Sequence, residues 1–335
     1  MFNKTGTMKL IILFLFVSIF FISSINGQTC CSGGIPISNN VGLENLGQGY
    51  LLFGINYDFN NLNTLNSGRT NLNDNSRKRI THSILFNTSY AITNRLSVEA
   101  LLTWVNQRRV IHQFGNIDLQ QTQGIGDAVV LAKYDFSKIL GASSNVSLGI
   151  GAKIPIGSFD ESNDMGIIYI ADLQPGSGAW DLILYTALSK NFNFRPSTTF
   201  SSRVIYRSTG ENTGYLNGIQ GYEYGNEIQT FFGISDEFMA FKTLINPGLI
   251  IKYRKAEQDR IKGFELDNTG GKWIFIIPNI SIRISPEISF NSKIEVPVLS
   301  DVDGTQLTPT FRITGGLLIN LNLKKNEFNF NNLKI

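Results

Sequence analysis

The chain has 335 residues, of which 42% are hydrophobic, 11% aromatic and only 16% charged, with a formal net charge of +3. Soluble domains carry roughly 25% charged residues, so an ordinary water-soluble enzyme fits this composition poorly. Two of the basic residues, Lys4 and Lys9, belong to a leader; without them the balance is +3 − 2 = +1, which provides no basic face for a nucleic acid.

After Lys4 and Lys9 comes the apolar run Leu10 to Ile22 (LIILFLFVSIFFI), followed by Ser23, Ser24 and Gly27. A basic start, an apolar middle and small residues form the pattern of a secretory signal peptide. The run is too short for a membrane span, which takes about 20 residues. Residues 1–27 are therefore expected to be removed, leaving 28–48 as a periplasmic leader that is either disordered or inserted below the fold as a plug. Cys30 and Cys31 stand side by side in it, and Gly27-Gln28-Thr29 is a poor context for lipid attachment. Neighbouring cysteines close only a strained ring, pair between chains or bind metal, and no pairing is assigned. His82 and His112 are the only histidines, too few for a metal centre; neither metal nor other cofactor is expected.

From Gly49 onward, stretches of about ten to thirteen residues alternate apolar and polar positions, the period of β-strands. The first sets Leu51, Phe53, Ile55, Tyr57 and Phe59 on one face; the second sets Ile84, Phe86, Tyr90 and Ile92; the third runs from Leu96 to Trp104. Others lie near 124–136, 145–158, 180–190, 196–207, 223–234, 241–254, 273–284, 287–297 and 310–323, about twelve in all. The connections alternate in length. Long ones fall near 60–81, 106–123, 158–179, 208–222, 255–272 and 298–309; short ones fall near 93–95, 137–144, 190–195, 235–240 and 285–286. An even number of antiparallel strands with long loops at one end and short turns at the other is the plan of a transmembrane up-and-down β-barrel. The expected fold is thus all-β, a barrel over 49–323 with long outer loops and short periplasmic turns. Its place is the outer membrane of a Gram-negative bacterium, with membrane lipid and the barrel-insertion machinery as partners. A tail, 324–335, follows without a terminal aromatic residue, so either Phe328 or Phe330 serves as the insertion signal or the signal is missing.

In such a barrel apolar faces meet lipid and polar faces line the lumen. Alternation assigns to the lumen the acids Glu99, Asp127, Asp135, Asp181, Glu227 and Glu295. It also assigns the bases Lys133, Lys153, Arg203, Lys242, Lys252, Lys293 and Arg312. Trp104, Trp180 and Trp273 fall at the outer rim, where indole rings suit the membrane–water interface, although strict alternation turns Trp273 inward. Tyr206, Tyr222, Tyr224 and Tyr253 fall near the same rim. In the long loop 158–179, the apolar stretch containing Ile167, Ile168, Tyr169 and Ile170 is read either as a gate folded into the mouth or as a hairpin above the membrane.

Three consecutive segments, GIGDAVVLAKYDF (124–136), GIGAKIPIGSFD (149–160) and DLQPGSGAWDLIL (172–184), resemble the outer-membrane family named for the meta-pathway of phenol degradation. Its pattern is a Gly-Asp strand, a strand ending in Lys-x-Pro-x-Gly, and a Gln-Pro-Gly-x-Gly loop. Gly126-Asp127, Lys153 to Gly157 and Gln174 to Gly178 stand at those places. The resemblance covers about sixty residues and implies a transporter of aromatic compounds. The leading expectation is a channel for small, hydrophobic or aromatic solutes; the alternative is a sealed structural or adhesive barrel acting through its outer loops. An outer-membrane lipid hydrolase is the weakest reading. A serine nucleophile needs a neighbouring base, and His82 and Ser83, adjacent in a strand, point to opposite faces. No catalytic residues are assigned. Asp301-Val302-Asp303-Gly304 is too short an acidic turn to specify calcium.

Overall fold

The computed structural model describes residues 28–29, 41–137 and 143–323. The expected signal peptide, Cys30, Cys31 and the tail 324–335 lie outside the described residues. Twelve antiparallel strands close into a barrel. Numbered in chain order they are β1 Tyr50–Ser67, β2 Arg77–Ala91, β3 Leu96–Gln113, β4 Ala128–Ser137, β5 Ser144–Ile154, β6 Asp181–Phe192, β7 Arg195–Ser208, β8 Glu227–Asp236, β9 Thr243–Ala256, β10 Gly271–Arg283, β11 Ile288–Val302 and β12 Thr305–Asn322. Each pairs with its neighbours in sequence, and β12 pairs with β1 from Asn322↔Tyr50 to Thr305↔Ser67, which closes the wall.

The period-two pattern decides which side each residue faces, and the sides are inverted relative to a soluble protein. Ile55 and Tyr57 on β1, Ile84 and Phe86 on β2, Leu182 and Leu184 on β6 and Phe232 and Ile234 on β8 point outward and are exposed. Between them Asp58, Ser83, Asn87, Asp181 and Glu227 are buried inside. Burying such an apolar side chain is worth about 1.5–3 kcal/mol relative to leaving it in water, so this exterior is built for hydrocarbon. Inside, backbone groups are satisfied strand to strand, as a membrane requires.

Three connections expected to be long loops are largely strand. The Asn-rich 60–81 stretch is strand through Ser67 and again from Arg77. The 106–123 stretch is a hairpin, β3 running to Gln113 and a further strand, Asn116–Ile125, returning beside it. The 298–309 stretch is a tight turn between β11 and β12 at Asp303 and Gly304, the glycine having φ 76°. Strands that project beyond the apolar band have no lipid to face, so their apolar alternation lapses and their composition reads as loop. The long connections that remain are 155–180, 209–226 and 257–270. The last two contribute a small four-stranded sheet above the mouth, built from Glu211–Asn212, Tyr222–Glu223, Arg260–Ile261 and Phe264–Glu265.

Candidate functional site: a lumen filled from both ends

The three sequence motifs converge at the long-loop end of the lumen. Gly126 and Asp127 interrupt the strand between Ile125 and Ala128, which delivers the Asp127 carboxylate to the interior. It accepts hydrogen bonds from the Gly157 N–H (3.2 Å), the Ser177 N–H (2.9 Å) and the Ser177 hydroxyl (2.7 Å). Lys153, at the end of β5, places its ammonium 3.1 Å from Asp127 and 2.9 Å from Asp181, and also donates to the Ser177 hydroxyl. The loop backbones touch at two glycines. A Cβ on Gly176 would lie 2.5 Å from the Gly157 carbonyl carbon, and one on Gly157 would lie 2.7 Å from the Gly176 Cα. Only residues without side chains permit that approach.

The segment locked in this way is 171–177, every residue of which is buried. Its far side is held by β2 and β3. Arg79 donates to the Asp172 carboxylate (3.1 Å) and the Asp172 carbonyl (2.6 Å), and also to the Gln107 side-chain oxygen. The Gln107 amide donates to the Leu173 and Gln174 carbonyls (3.3 and 3.2 Å). From above, the Tyr224 hydroxyl donates to the Ala171 carbonyl (2.6 Å), and Tyr215, Tyr222 and Tyr224 pack on Ala171. Burial in that outer cap pushes the Tyr222 hydroxyl well above its usual pKa and raises the Asp259 carboxyl that accepts from it.

Ion pairs continue round the wall at this level. From Asp181 they pass to Arg207 (3.9 Å), from Arg207 to Glu227 (3.3 Å) and from Glu227 to Arg254 (3.0 Å), whose guanidinium lies 4.8 Å from the centre of the Trp273 ring. The expected rim position of Trp273 is thereby corrected. Its indole is 0% exposed, since it sits opposite Arg254 in the ladder and shares that residue's inward face. Trp104 and Trp180 do face outward, and the latter is 61% exposed. Tyr206 and Tyr253 are outward as well, but Tyr222 and Tyr224 are buried in the cap.

Below the ion pairs the inner wall of β2 to β8 turns apolar. Leu85, Leu101, Val129, Leu131, Ile183, Tyr185, Ile205 and Phe231 form one buried cluster, and Val41 of the leader sits among them. The leader rises from the short-turn end. The Gly42 and Leu43 N–H groups donate to the Glu99 carboxylate (3.0 and 3.2 Å), Lys133 pairs with Glu99 (3.0 Å) and donates to the Leu43 carbonyl, and Arg203 donates to the Val41 carbonyl (2.8 Å). Residues 28–29 run parallel to β12 beside Gln306 and Leu307. On the opposite wall, Arg312 pairs with Asp58 (2.8 Å) and Lys252 with Glu295.

Of the residues assigned to the lumen, Glu99, Asp127, Lys133, Lys153, Asp181, Glu227, Lys252 and Glu295 are buried, while Asp135, Arg203, Lys293 and Arg312 are half-buried on the same inner faces. Lys242 is not there: with Phe241 it forms the exposed tip of the β8–β9 connection, both at positive φ (52° and 64°), so it is a turn residue rather than the first of a strand. Of the two readings of the apolar loop stretch, gate or hairpin, the structure matches the hairpin. Residues 161–169 fold into a small hairpin, with a Ser162↔Ile168 bridge, that holds Ile167 60% exposed outside the mouth while Ile168, Tyr169 and Ile170 are half-buried. The inserted piece is the next one along, 171–177. Sequence reasoning reads Arg79 as part of a basic outer-loop run (Arg77, Lys78, Arg79) and does not place it, Gln107 or the inner apolar cluster in the lumen, although the inward register shows the last: Glu99, Leu101, Thr103; Asp127, Val129, Leu131, Lys133; Arg203, Ile205, Arg207.

His82 Nδ1 shares a 2.7 Å hydrogen bond with the Tyr57 hydroxyl on the outer face, while Ser83 is buried inside, so the two side chains diverge as their adjacency requires.

No curated protein matches the chain in sequence. Among solved structures, a COG4313 outer membrane channel from Pseudomonas putida F1 superposes with a TM-score of 0.66 at 12% identity, over 86% of this chain and all of that one. The β domain of the Bordetella autotransporter BrkA gives 0.47 at 8% identity, over 82% of this chain and 100% of the other. The NanC porin gives 0.45 at 10%, over 80% and 100%. The first likeness establishes the barrel fold. A family model matches residues 59–298, a range that contains the whole lock, and this chain belongs to that family, described as "Putative MetA-pathway of phenol degradation".

Proposed function

We propose that the protein is an outer-membrane channel that passes small hydrophobic or aromatic solutes through a lumen closed at rest by two inserted segments, 171–177 from the outside and the leader around Val41 from the periplasm. The observation that carries this reading is the apolar cluster along the inner wall of β2 to β8. A pore for hydrated solutes gains nothing from a continuous apolar track along one wall, whereas an apolar solute moves along such a track at little cost. The resemblance to a solved outer membrane channel supports it, as does the family's description. In this reading Trp104 and Trp180 anchor the outer interface, lipid surrounds the barrel, and a signal peptide and the insertion machinery bring it to the outer membrane of a Gram-negative cell. The reading is non-enzymatic.

The test is flux into liposomes carrying refolded residues 28–335. Phenol and its alkyl derivatives are expected to pass faster than sugars or amino acids of similar size, relative to protein-free vesicles. Equal passage of all small solutes would overturn the selectivity. A second reading, a sealed barrel acting through its outer loops, draws on the density of contacts at 171–177; absence of flux even after the lock is broken would favour it.

A further inference from the structure

The strand register orders the outward face of β1 to β3, and of the strand Asn116–Ile125 beside them, into rows. In one row Tyr57, Ile84, Trp104 and Ile125 stand side by side, all apolar or aromatic. The next row toward the long-loop end holds Phe59, His82, Asn106 and Gln123, and the one after holds Asn61, Ile80, Arg108 and Gln121. Lys78 and Val110 follow. Trp104 marks the membrane–water interface. Strands rise about 3.3 Å per residue and tilt roughly 40° in such barrels, so Arg108 stands roughly 10 Å above Trp104, at headgroup depth.

The basic residues of β2 and β3 divide between two faces. Arg79 and Arg109, opposite each other, are buried on the inner side. Lys78 and Arg108 are exposed on the outer side, and neither has a hydrogen-bond or ion-pair partner among the described residues. They are diagonal neighbours, since Val110 stands opposite Lys78 and Ile80 opposite Arg108, a spacing of about 7–8 Å. No aspartate or glutamate occupies these rows. Of the acids close in sequence, Asp118 stands opposite Ile111 on the other face, and Asp74 accepts from the Ser76 N–H and hydroxyl. The outward lysines on the far side of the barrel differ. Lys255 and Lys272 face each other, but Asp301 stands opposite Lys272 and Glu257 lies two residues beyond Lys255.

We infer that Lys78 and Arg108 form an external site for a phosphate group of an outer-leaflet lipid. The inference rests on the outer-membrane placement and is independent of what the lumen passes. A guanidinium offers five donors in a planar fork that matches phosphate, and an ammonium adds a compact charge on a flexible stem. Gln121, opposite Arg108, supplies an amide. A lipid whose acyl chains lie against Tyr57, Ile84 and Trp104 carries its phosphate at this height. Held there, it braces from outside the two strands that grip 171–177 from within.

The experiment titrates detergent-solubilised, refolded residues 28–335 with diphosphoryl lipid A, its dephosphorylated counterpart and inorganic phosphate, counting bound lipid by native mass spectrometry. Lipid A is expected to bind saturably and more tightly than the dephosphorylated form. Lys78→Gln combined with Arg108→Gln is expected to weaken lipid A by about threefold to thirtyfold, the worth of two exposed ion pairs, and to flatten its salt dependence. Lys255→Gln combined with Lys272→Gln is expected to change binding by less than about twofold, the control for charge alone. Both pairs are exposed, so neither combination is expected to disturb folding, which heat-modifiable gel mobility checks. Arg108→Lys keeps the charge and is expected to lose less than Arg108→Gln. Equal binding of the two glycolipids, equal losses from the two variant pairs, or binding indifferent to the first pair overturns the site. Inorganic phosphate displacing lipid A at micromolar concentration overturns the lipid as its source. Liposome flux is a separate readout: its absence removes the channel and leaves this site, and loss of the site leaves the channel.

Discussion

Arg79 is where the inserted segment is most open to perturbation. Its guanidinium and the Asp172 carboxylate are 3% and 8% exposed and 3.1 Å apart. Arg79→Met keeps the length of the side chain and deletes the charge. Removing one partner of a buried pair costs about 3–5 kcal/mol, mostly because the other charge stays behind in a dry site. Here the segment has an alternative that a core residue lacks, which is to leave the lumen and hydrate Asp172. About 3 kcal/mol taken from the closed state shifts the closed-to-open ratio by roughly a hundredfold. The assay is solute flux in liposomes, normalised to folded barrel by heat-modifiable gel mobility. Flux is expected to rise steeply, and Asp172→Leu added to Arg79→Met should close the lumen again, since an apolar pair replaces a buried ionic one at little loss. A fully folded Arg79→Met barrel with unchanged flux would refute the claim that 171–177 governs passage.

Three further outcomes follow from the same geometry. Gly176→Ala forces a Cβ to 2.5 Å from the Gly157 carbonyl carbon and should free 171–177 for proteolysis without unfolding the strands, a destabilisation of about 1–3 kcal/mol confined to the loop; a protease pattern like that of the parent would count against the lock. Val41→Asp puts a carboxylate into the apolar cluster, a placement that costs several kcal/mol, so the leader should withdraw and a glutamate-specific protease should cut at Glu44 much faster. Burial raises the Asp259 carboxyl above its usual 3.8. The folded cap therefore favours the protonated acid, its stability is full below pH 3.8, and it declines as pH rises through the higher folded value. Loop 257–270 should become more protease-sensitive over that rise, and Asp259→Asn should flatten the dependence.

The barrel was legible because lipid imposes a period of two on every spanning strand, and the same pattern put Glu99, Asp127, Lys153 and Asp181 on the inner face. It failed where lipid no longer constrains the chain. Above the membrane β1, β3 and β11 continue as strands whose Asn, Gln and Asp content resembles loop. Trp273 shows the opposite error: a residue type suited to the interface outweighed a register that pointed inward. The gate was sought in the greasiest part of loop 158–179, but entering the lumen requires backbone groups to be satisfied by wall side chains such as Arg79, Gln107 and Asp127. Pro175, Gly176 and Ser177 fit that closeness, whereas Ile167 does not. Contacts of this kind join residues far apart in the chain and leave no periodic trace.

The inner apolar cluster changes what surrounds the wall at mid-height. On β6, Ile183 fills the inside while Leu182 and Leu184 cover the outside; Leu101, Leu131 and Ile205 bring the same condition to β3, β4 and β7. Backbone amides there are shielded from water on both faces, by lipid on one and by packed side chains on the other. Hydrogen exchange at those positions has no local route and must wait for the widest opening of the barrel, so the slowest amides should form a patch at mid-height on the β2 to β8 side. Strand segments beside the charged zones, with water nearer one face, should exchange first.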